Sequence, residues 1–306
     1  MVGGPINTGT HPQALWPGVH AWWGMKYEEH PKEYPDLFDE DDSNKAYEID
    51  VMSTPFGQAP VKAEGDAFTY DYETQGPTQR YTPVAYGLGY IVTYEERKNN
   101  LYEELSNRRA GRNAFSMRQT IENVCAAVYN DAFTGNVFKF ATGQPLCSAT
   151  QPNVTGGSFS NELSPGADLS EAALEDISIQ AMQMEDDRGN LISVVPLSLH
   201  IAVTNLYNAT RILKSIQQSG TANNDVNALR ELKAFSKGIK MNHYFTNQAA
   251  WFTRTNAPEG MKMFWRERPN FDQDNDFDTR NAKAASFMWF SVGASEPRGI
   301  LGSNGP

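Results

Sequence analysis

Residues 99–133 read NNLYEELSNRRAGRNAFSMRQTIENVCAAVYNDAF. Leu101, Leu105, Ala114, Phe115, Met117, Ile121, Val124, Cys125 and Val128 follow spacings of three, four and seven over much of this stretch, the repeat of one apolar helix face. Arg108, Arg109, Arg112 and Arg118 occupy other positions, and Gly111 is the one weak residue in the interior. The spacing predicts a helix that would run about 50 Å, whereas helices in globular domains average roughly 11–12 residues. A spine of that length points to an elongated subunit rather than a compact enzyme.

Upstream, residues 46–98 read as β-rich. Phe68, Tyr70 and Tyr72 alternate with Ala67, Thr69 and Asp71, the period of a strand with two unlike faces. Tyr86, Tyr90, Val92 and Tyr94 repeat the pattern beyond the turn-prone Gln75-Gly76-Pro77-Thr78. Together they predict a long projecting hairpin, with Gly87 and Gly89 marking a bulge or bend in the return strand. Two strands alone are marginal in water, so the hairpin must be completed by something else. Phe68, Tyr70, Tyr72, Tyr81 and Tyr86 are its candidate inter-subunit contacts.

Residues 1–45 read as an arm. Pro5, Pro12, Pro17, Pro31 and Pro35 recur too often for a helix or central strand. The same stretch carries Trp16, Trp22, Trp23, Tyr27, Tyr34 and Phe38, more aromatic surface than a disordered tail holds. Extended backbone with large apolar side chains implies a segment lying across another surface, its own or a neighbour's, and Trp16, Trp22 and Trp23 join the contact candidates.

Downstream of the spine, the division is a first unit over 99–168, a second over 169–283 and a closing strand and tail over 284–306. Ser170 is placed to cap a helix from Glu171 that continues through Leu174, Ile177, Ala181 and Met184. A strand over Leu197–Val203, a helix over Leu206–Ile216 and a polar loop over Gly220–Asn227 follow. Strands are expected around Ile239–Phe245, Ala249–Arg254, Gly260–Trp265 and Ala284–Val292. The fold class is α+β, with helices and antiparallel strands segregated.

A chain of 306 residues makes two domains or one elaborate one. No apolar run approaches the roughly 18–20 residues of a membrane span, and the first 20 residues lack the pattern of a secretory signal. Two cysteines, Cys125 and Cys147, are too few for a disulfide framework or a four-cysteine zinc site. Cys125 falls on the apolar stripe of the spine, as a small buried hydrophobe does. Of the net charge of −11, residues 28–50 contribute −8, which reads as a solvated acidic run. Such a balance does not build a broad cationic surface for phosphate backbones.

Chemistry is nearly absent from the motifs. The histidines, His11, His20, His30, His200 and His243, stand singly, with no HExxH and no zinc-type pairing with cysteine. There is no GxSxG and no Walker A, and Gly87-Leu88-Gly89 lacks the third glycine of a dinucleotide loop. Asp272, Asp274, Asp276 and Asp278 alternate, but an EF-hand starting at Asp272 would meet Phe277 and Lys283 where Gly and Glu are required. Alternation on an exposed loop explains them. No catalytic, cofactor or metal site is expected.

Several segments carry a family resemblance. Ser43-Asn44-Lys45-Ala46-Tyr47-Glu48 precedes Glu64-Gly65-Asp66-Ala67-Phe68-Thr69-Tyr70-Asp71; Arg80-Tyr81, Thr93-Tyr94-Glu95-Glu96 and Asn99-Asn100-Leu101-Tyr102 follow. Further on stand Gly143-Gln144-Pro145-Leu146-Cys147-Ser148, Ala167-Asp168-Leu169-Ser170-Glu171-Ala172-Ala173-Leu174 and Asn223-Asn224-Asp225-Val226-Asn227. In this text and in segment order, the chain resembles tailed-bacteriophage major capsid proteins of the Hong Kong 97-type fold, and within them the Mu-type major head subunit group. Gln144 and Gln151 depart from the Lys-like and His residues of that group.

The resemblance implies that the hairpin region is the E-loop, lying over a neighbouring subunit. The spine and flanking strands are then the P-domain, residues 169–283 the A-domain, and the tail returns to both. It further implies a non-enzymatic protein of the virion, assembled in the bacterial cytoplasm. Its own copies, as hexamers and pentamers, would enclose double-stranded DNA without sequence-specific binding. A separate scaffolding protein, a portal and a possible cement protein are the implied partners, with no membrane. The alternatives are an encapsulin-like nanocompartment shell, a minor head or adhesion protein, and, remotely, a carboxylate-based hydrolase built from distant loops.

Overall fold

The computed structural model describes residues 16–98, 102–217, 225–276, 278 and 281–305. The chain begins with helix α1 (Trp16–Glu29), the short α2 (Tyr34–Leu37) and strand β1 (Asp39–Asp42). Strands β2 (Glu48–Ser53), β3 (Gln75–Tyr81) and β4 (Val84–Val92) lead to α3 (Tyr94–Lys98) and the long α4 (Tyr102–Asn130). A small pair, β5 (Gln151–Pro152) and β6 (Ser158–Phe159), precedes α5 (Glu171–Met182), β7 (Pro196–Ala202), α6 (Leu206–Lys214), α7 (Ala228–Glu231), β8 (Gly238–Asn242) and β9 (Trp251–Thr255). The long antiparallel pair β10 (Met261–Asn275) and β11 (Ala282–Ala294) then runs back to β12 (Ile300–Ser303).

Two sheets organise the molecule. The first has the order β1-β10-β11-β4 and is covered by α4 and α1. Helix α4, 29 residues or about 44 Å long, buries Ala110, Ala114, Met117, Ile121, Cys125 and Tyr129 against Trp265, Phe271, Met288 and Phe290. The second sheet, β12-β9-β7-β8, packs with α5 around Leu174, Ile177, Leu199, Ile201, Trp251 and Leu301. Ser170 caps α5 by accepting the Ala173 N–H at 3.2 Å, as its position before the apolar run implies.

The arm is the first departure from the sequence reading. Residues 16–42 are helix and strand built into the subunit, with Trp23 stacked on Tyr27 and Phe271 at 5.0 and 5.5 Å. The prolines do not prevent this because they sit where a helix has no use for an amide donor. Pro17 is the second residue of α1 and Pro35 lies in the first turn of α2. The acidic run is ordered as well. Asp39–Asp42 pairs in parallel with Lys262–Trp265. Arg254 pairs with Asp39 at 2.5 Å and Arg268 with Asp42 at 3.0 Å, and Trp265 Nε1 donates to Glu40 at 2.7 Å. A charged edge strand of this kind also discourages further strand addition.

The hairpin is paired differently from the expectation. β3 pairs with β2, from Glu48↔Tyr81 to Ser53↔Gln75, while β4 pairs with β11. Gln75-Gly76-Pro77-Thr78, expected as a turn, is therefore the start of β3, where a two-stranded edge tolerates the proline. Residues 54–74 form the long connection and contain no strand. Nor is there a bulge at Gly87 and Gly89, since the β4–β11 register is unbroken. Glycine permits close approach instead: a Cβ at Gly89 would lie 3.1 Å from the Ala284 carbonyl oxygen. The alternating Asp272 and Asp274 stand on strand β10, so their period is the pleat of a strand rather than a loop's accident.

The expected boundary at 283/284 falls inside β11, and β10 belongs to the first sheet although the sequence division gave it to the second unit. Residues 1–15, Leu101 and most of the expected polar loop Gly220–Asn227 lie outside the described residues.

Candidate functional site

Among the described residues, the connection between β2 and β3 holds the largest display of exposed apolar side chains on one segment. Phe56, Val61, Phe68, Tyr70 and Tyr72 are all exposed, Tyr70 at 91% and Val61 fully. Side chains of this size usually bury themselves, yet neither core cluster of the chain includes any of them. Lys62 lies over the Phe68 ring at 5.3 Å, a contact within the loop itself.

The base of the loop is built, not slack. Thr54 N–H donates to the Thr74 carbonyl at 3.0 Å, and Thr74 N–H to Thr54 Oγ1 at 2.9 Å. Asp71 accepts from Gly57 N–H (2.7 Å), Tyr72 N–H (2.9 Å) and Arg188 Nη1 (2.6 Å), while Arg188 Nη2 donates to the Tyr72 carbonyl at 2.6 Å. The Gly57 amide, then the other donors and Arg188, hold the Asp71 carboxyl below its ordinary pKa. The loop is thus anchored to the body at Arg188 and presents its rings from that anchor.

The eight residues singled out from sequence do not share one environment. Phe68, Tyr70 and Tyr72 are exposed together on the loop, and Trp22 is 37% exposed on α1. Trp23 and Tyr81 are core residues of their own subunit. Tyr81 packs on Phe264 at 5.0 Å and shares a hydrogen bond with Ser295 Oγ at 2.5 Å, and burial raises its pKa. Tyr86 is partly buried, stacked on Phe290 at 5.1 Å. Trp16 opens α1, and its side chain lies outside the described residues. Sequence reasoning missed Phe56 and Val61, which break the alternation, and Arg188, whose role depends on a partner 117 residues away.

Other titratable groups serve the interior. Burial pushes His200 down to about 3, and its Nε2 pairs with Ser198 Oγ at 2.8 Å. Burial pushes the Cys125 and Cys147 thiols up, and both are free. Arg298, itself buried, reaches Asp187 (3.1 Å), Glu296 (3.1 Å), Asn153 (2.8 Å) and the Glu185 carbonyl (2.9 Å), and lies 4.2 Å over the Phe159 ring. Among the described residues no His, Cys, Asp and Glu group could hold a metal ion, and no helix is long and apolar enough to cross a membrane.

A family model described as phage capsid protein matches residues 76–302. The chain belongs to the phage capsid protein family. As a major capsid protein it is a structural component that builds the head, resides in the virion and associates with its own kind. Solved structures agree in fold, which is of the Hong Kong 97 type. The virus-like particle from Pyrococcus furiosus is similar at a TM-score of 0.53 and 10% identity, covering 94% of this capsid protein and 98% of that chain. The capsid of Ralstonia phage GP4 gives 0.54 at 11% identity over 88% and 87% of the two chains. That of Cyanophage P-SCSP1u gives 0.53 at 11% over 89% and 87%. No curated protein matches the chain.

Proposed function

We propose that this capsid protein forms hexamers and pentamers that tile an icosahedral shell around double-stranded DNA, with no catalytic role. The observation that carries this reading is the anchored loop 54–74, whose exposed Phe56, Val61, Phe68, Tyr70 and Tyr72 find no core in their own chain. Within a closed ring each such loop lies on the next subunit, so a modest contact is repeated at every interface. The first sheet with α4 is the peripheral P-domain and the second sheet with α5 the axial A-domain. The loop on β2 and β3 is the E-loop. The net charge of −11 suits a container that encloses DNA without gripping its sequence. A separate scaffolding protein, a portal and a cement protein are its proposed partners, and the quoted sequence segments support placement near the Mu-type head subunits.

The test is expression of the chain alone and with its genomic neighbours, followed by sedimentation and negative-stain electron microscopy. Shells of one size containing DNA are the expected outcome. The similarity to the virus-like particle from Pyrococcus furiosus keeps a second reading open, a nanocompartment shell. Shells that enclose protein cargo and no DNA would favour it. A chain that stays monomeric at high concentration with its scaffold present would exclude both.

A further inference from the structure

One part of the second sheet runs against the charge of the whole. Residues 206–240 carry Arg211, Lys214, Arg230, Lys233, Lys237 and Lys240 against Asp225 and Glu231, a local charge of +4 in a chain of −11. Elsewhere the fold answers its cations with carboxylates: Lys26 with Glu29, Arg109 with Glu96, Lys283 with Asp276. Lys240 is answered too, by Asp36 at 2.8 Å. Arg211, Lys214, Arg230, Lys233 and Lys237 form no ion pair and no side-chain hydrogen bond among the described residues.

These five side chains project from elements that pack on one another. Helix α6 turns Leu206, Ala209, Ile212 and Leu213 to the smaller core, which leaves Tyr207, Arg211 and Lys214 on its outward stripe. Asn227 ties the start of α7 to the end of α6, donating to Ser215 Oγ at 3.0 Å while its backbone N–H donates to the Ile216 carbonyl at 3.3 Å. Leu229 and Phe235 sink into the same core, and Lys237 N–H donates to the Leu197 carbonyl at 2.7 Å. The charge is felt inside the sheet: after burial and Arg254, Lys240 and Lys237 lower the pKa of His200. Lys233 also holds a left-handed backbone, φ 50°, where α7 ends. Ala234 N–H donates to the Leu229 carbonyl and Lys233 N–H to that of Arg230, a helix closure in which glycine is the usual residue. Strain is accepted there for a cation that has no partner in its own subunit.

We infer that Arg211, Lys214, Arg230, Lys233 and Lys237 contact the phosphate backbone of duplex DNA. Contacts of this kind position a duplex and read no sequence. The acidic remainder of the chain confines the contact to this surface and keeps it weak. An acidic protein is the competing occupant, because Tyr207, Ile216 and Leu232 are exposed in the same segment. It accounts less well for the patch. A protein would have to match carboxylates in position to cations on three successive stretches, whereas a phosphate backbone offers charge continuously and meets them in any register. This inference rests on the shell reading and deepens it by naming where the wall touches the enclosed DNA.

The test is binding of a fluorescent mixed-sequence duplex to the full-length, unassembled chain, followed by anisotropy between about 50 and 200 mM salt. The expected slope of log affinity against log salt is about −4 to −5. Lys214→Gln and Lys237→Gln should each flatten it by about one, and Lys139→Gln, exposed outside the patch, should not. Lys233→Gly keeps the closure of α7. It should unfold at no lower urea concentration than the parent while flattening the slope by about one, which a merely structural lysine would not do. No duplex binding at the lowest salt, or a slope that ignores all three patch variants, overturns the proposal. If the same chain still forms shells by electron microscopy, the shell reading stands without it. A chain that never leaves the monomer overturns both. Polyglutamate that binds more tightly than the duplex at equal salt, and loses that binding in the patch variants, reassigns the surface to an acidic protein and also overturns it.

Discussion

Arg298 shows how a single side chain can hold several loops. Its guanidinium joins residues 153, 185, 187 and 296 while 4% exposed, and Asp187 beside it is 7% exposed. Removing one partner of a buried ion pair leaves the other charge uncompensated. Arg298→Leu should therefore lower unfolding stability by about 3–5 kcal/mol in urea denaturation. Arg298→Lys should recover only part, because one ammonium cannot reach all four acceptors. Glu122 makes a pH-dependent case. It sits fully buried on α4, accepting from Glu33 N–H at 3.0 Å, with Arg118 one turn away and Tyr27, Tyr34 and Tyr244 around it. Burial pushes its carboxyl from 4.5 up to about 7. The folded protein keeps the proton over an interval in which the unfolded chain has lost it. That contribution is complete below about 4.5 and is lost as pH rises through about 7. His200 works in the opposite sense: lowered from 6.5 to about 3, it costs stability as pH falls through that interval. The two slopes offset each other in the parent protein. Stability of Glu122→Gln relative to the parent should thus improve by about 3 kcal/mol between pH 4.5 and 7.5, measured by denaturation at several pH values.

Among the elements, the loop 54–74 and helix α4 stand at opposite ends of local stability. α4 is sheathed by α1 on one side and the first sheet on the other. The loop depends on its base, where Asp71 gathers two backbone amides and Arg188. Elements with few buried contacts open at low cost, independently of the global fold. Asp71→Ala should accordingly increase hydrogen exchange and protease cleavage within 54–74. It should leave the midpoint of global urea unfolding essentially unchanged, because the pair is at the surface. A large drop in that midpoint would mean that the anchor is part of the core.

For the whole molecule, the decisive fact is that the N-terminal segment is structural before any neighbour arrives. Val19, Trp23, Tyr27, Tyr34, Leu37 and Phe38 all belong to the larger hydrophobic core. Deleting residues 1–42 should abolish the cooperative thermal transition and the near-ultraviolet circular dichroism of the subunit, not merely loosen its shells. Stable subunits lacking the segment would show that it is a detachable arm after all. The loop 54–74 stays open on the folded subunit, with Phe56, Val61, Phe68, Tyr70 and Tyr72 exposed.

Helix α4, the cap at Ser170 and the strands β7, β9 and β11 were legible in the sequence because each depends on local period or capping chemistry. Alternation also marked residues 67–72 as extended and aromatic. It could not name their partner, since a strand's period is the same whichever edge it meets. That is why alternation points β4 to its neighbour in sequence, while in the fold it pairs with β11, about 200 residues on. The prolines of the first 45 residues argued against helix because a linear reading does not see that the first turn needs no amide donor. Trp22 and Trp23 are adjacent, yet one is part-exposed on α1 and the other is stacked in the core. Composition and periodicity determined the class, the spine and the surplus of aromatic surface. Only the tertiary structure decided which of those aromatics the subunit buries and which it leaves exposed, because burial is a property of packed neighbours distant in sequence.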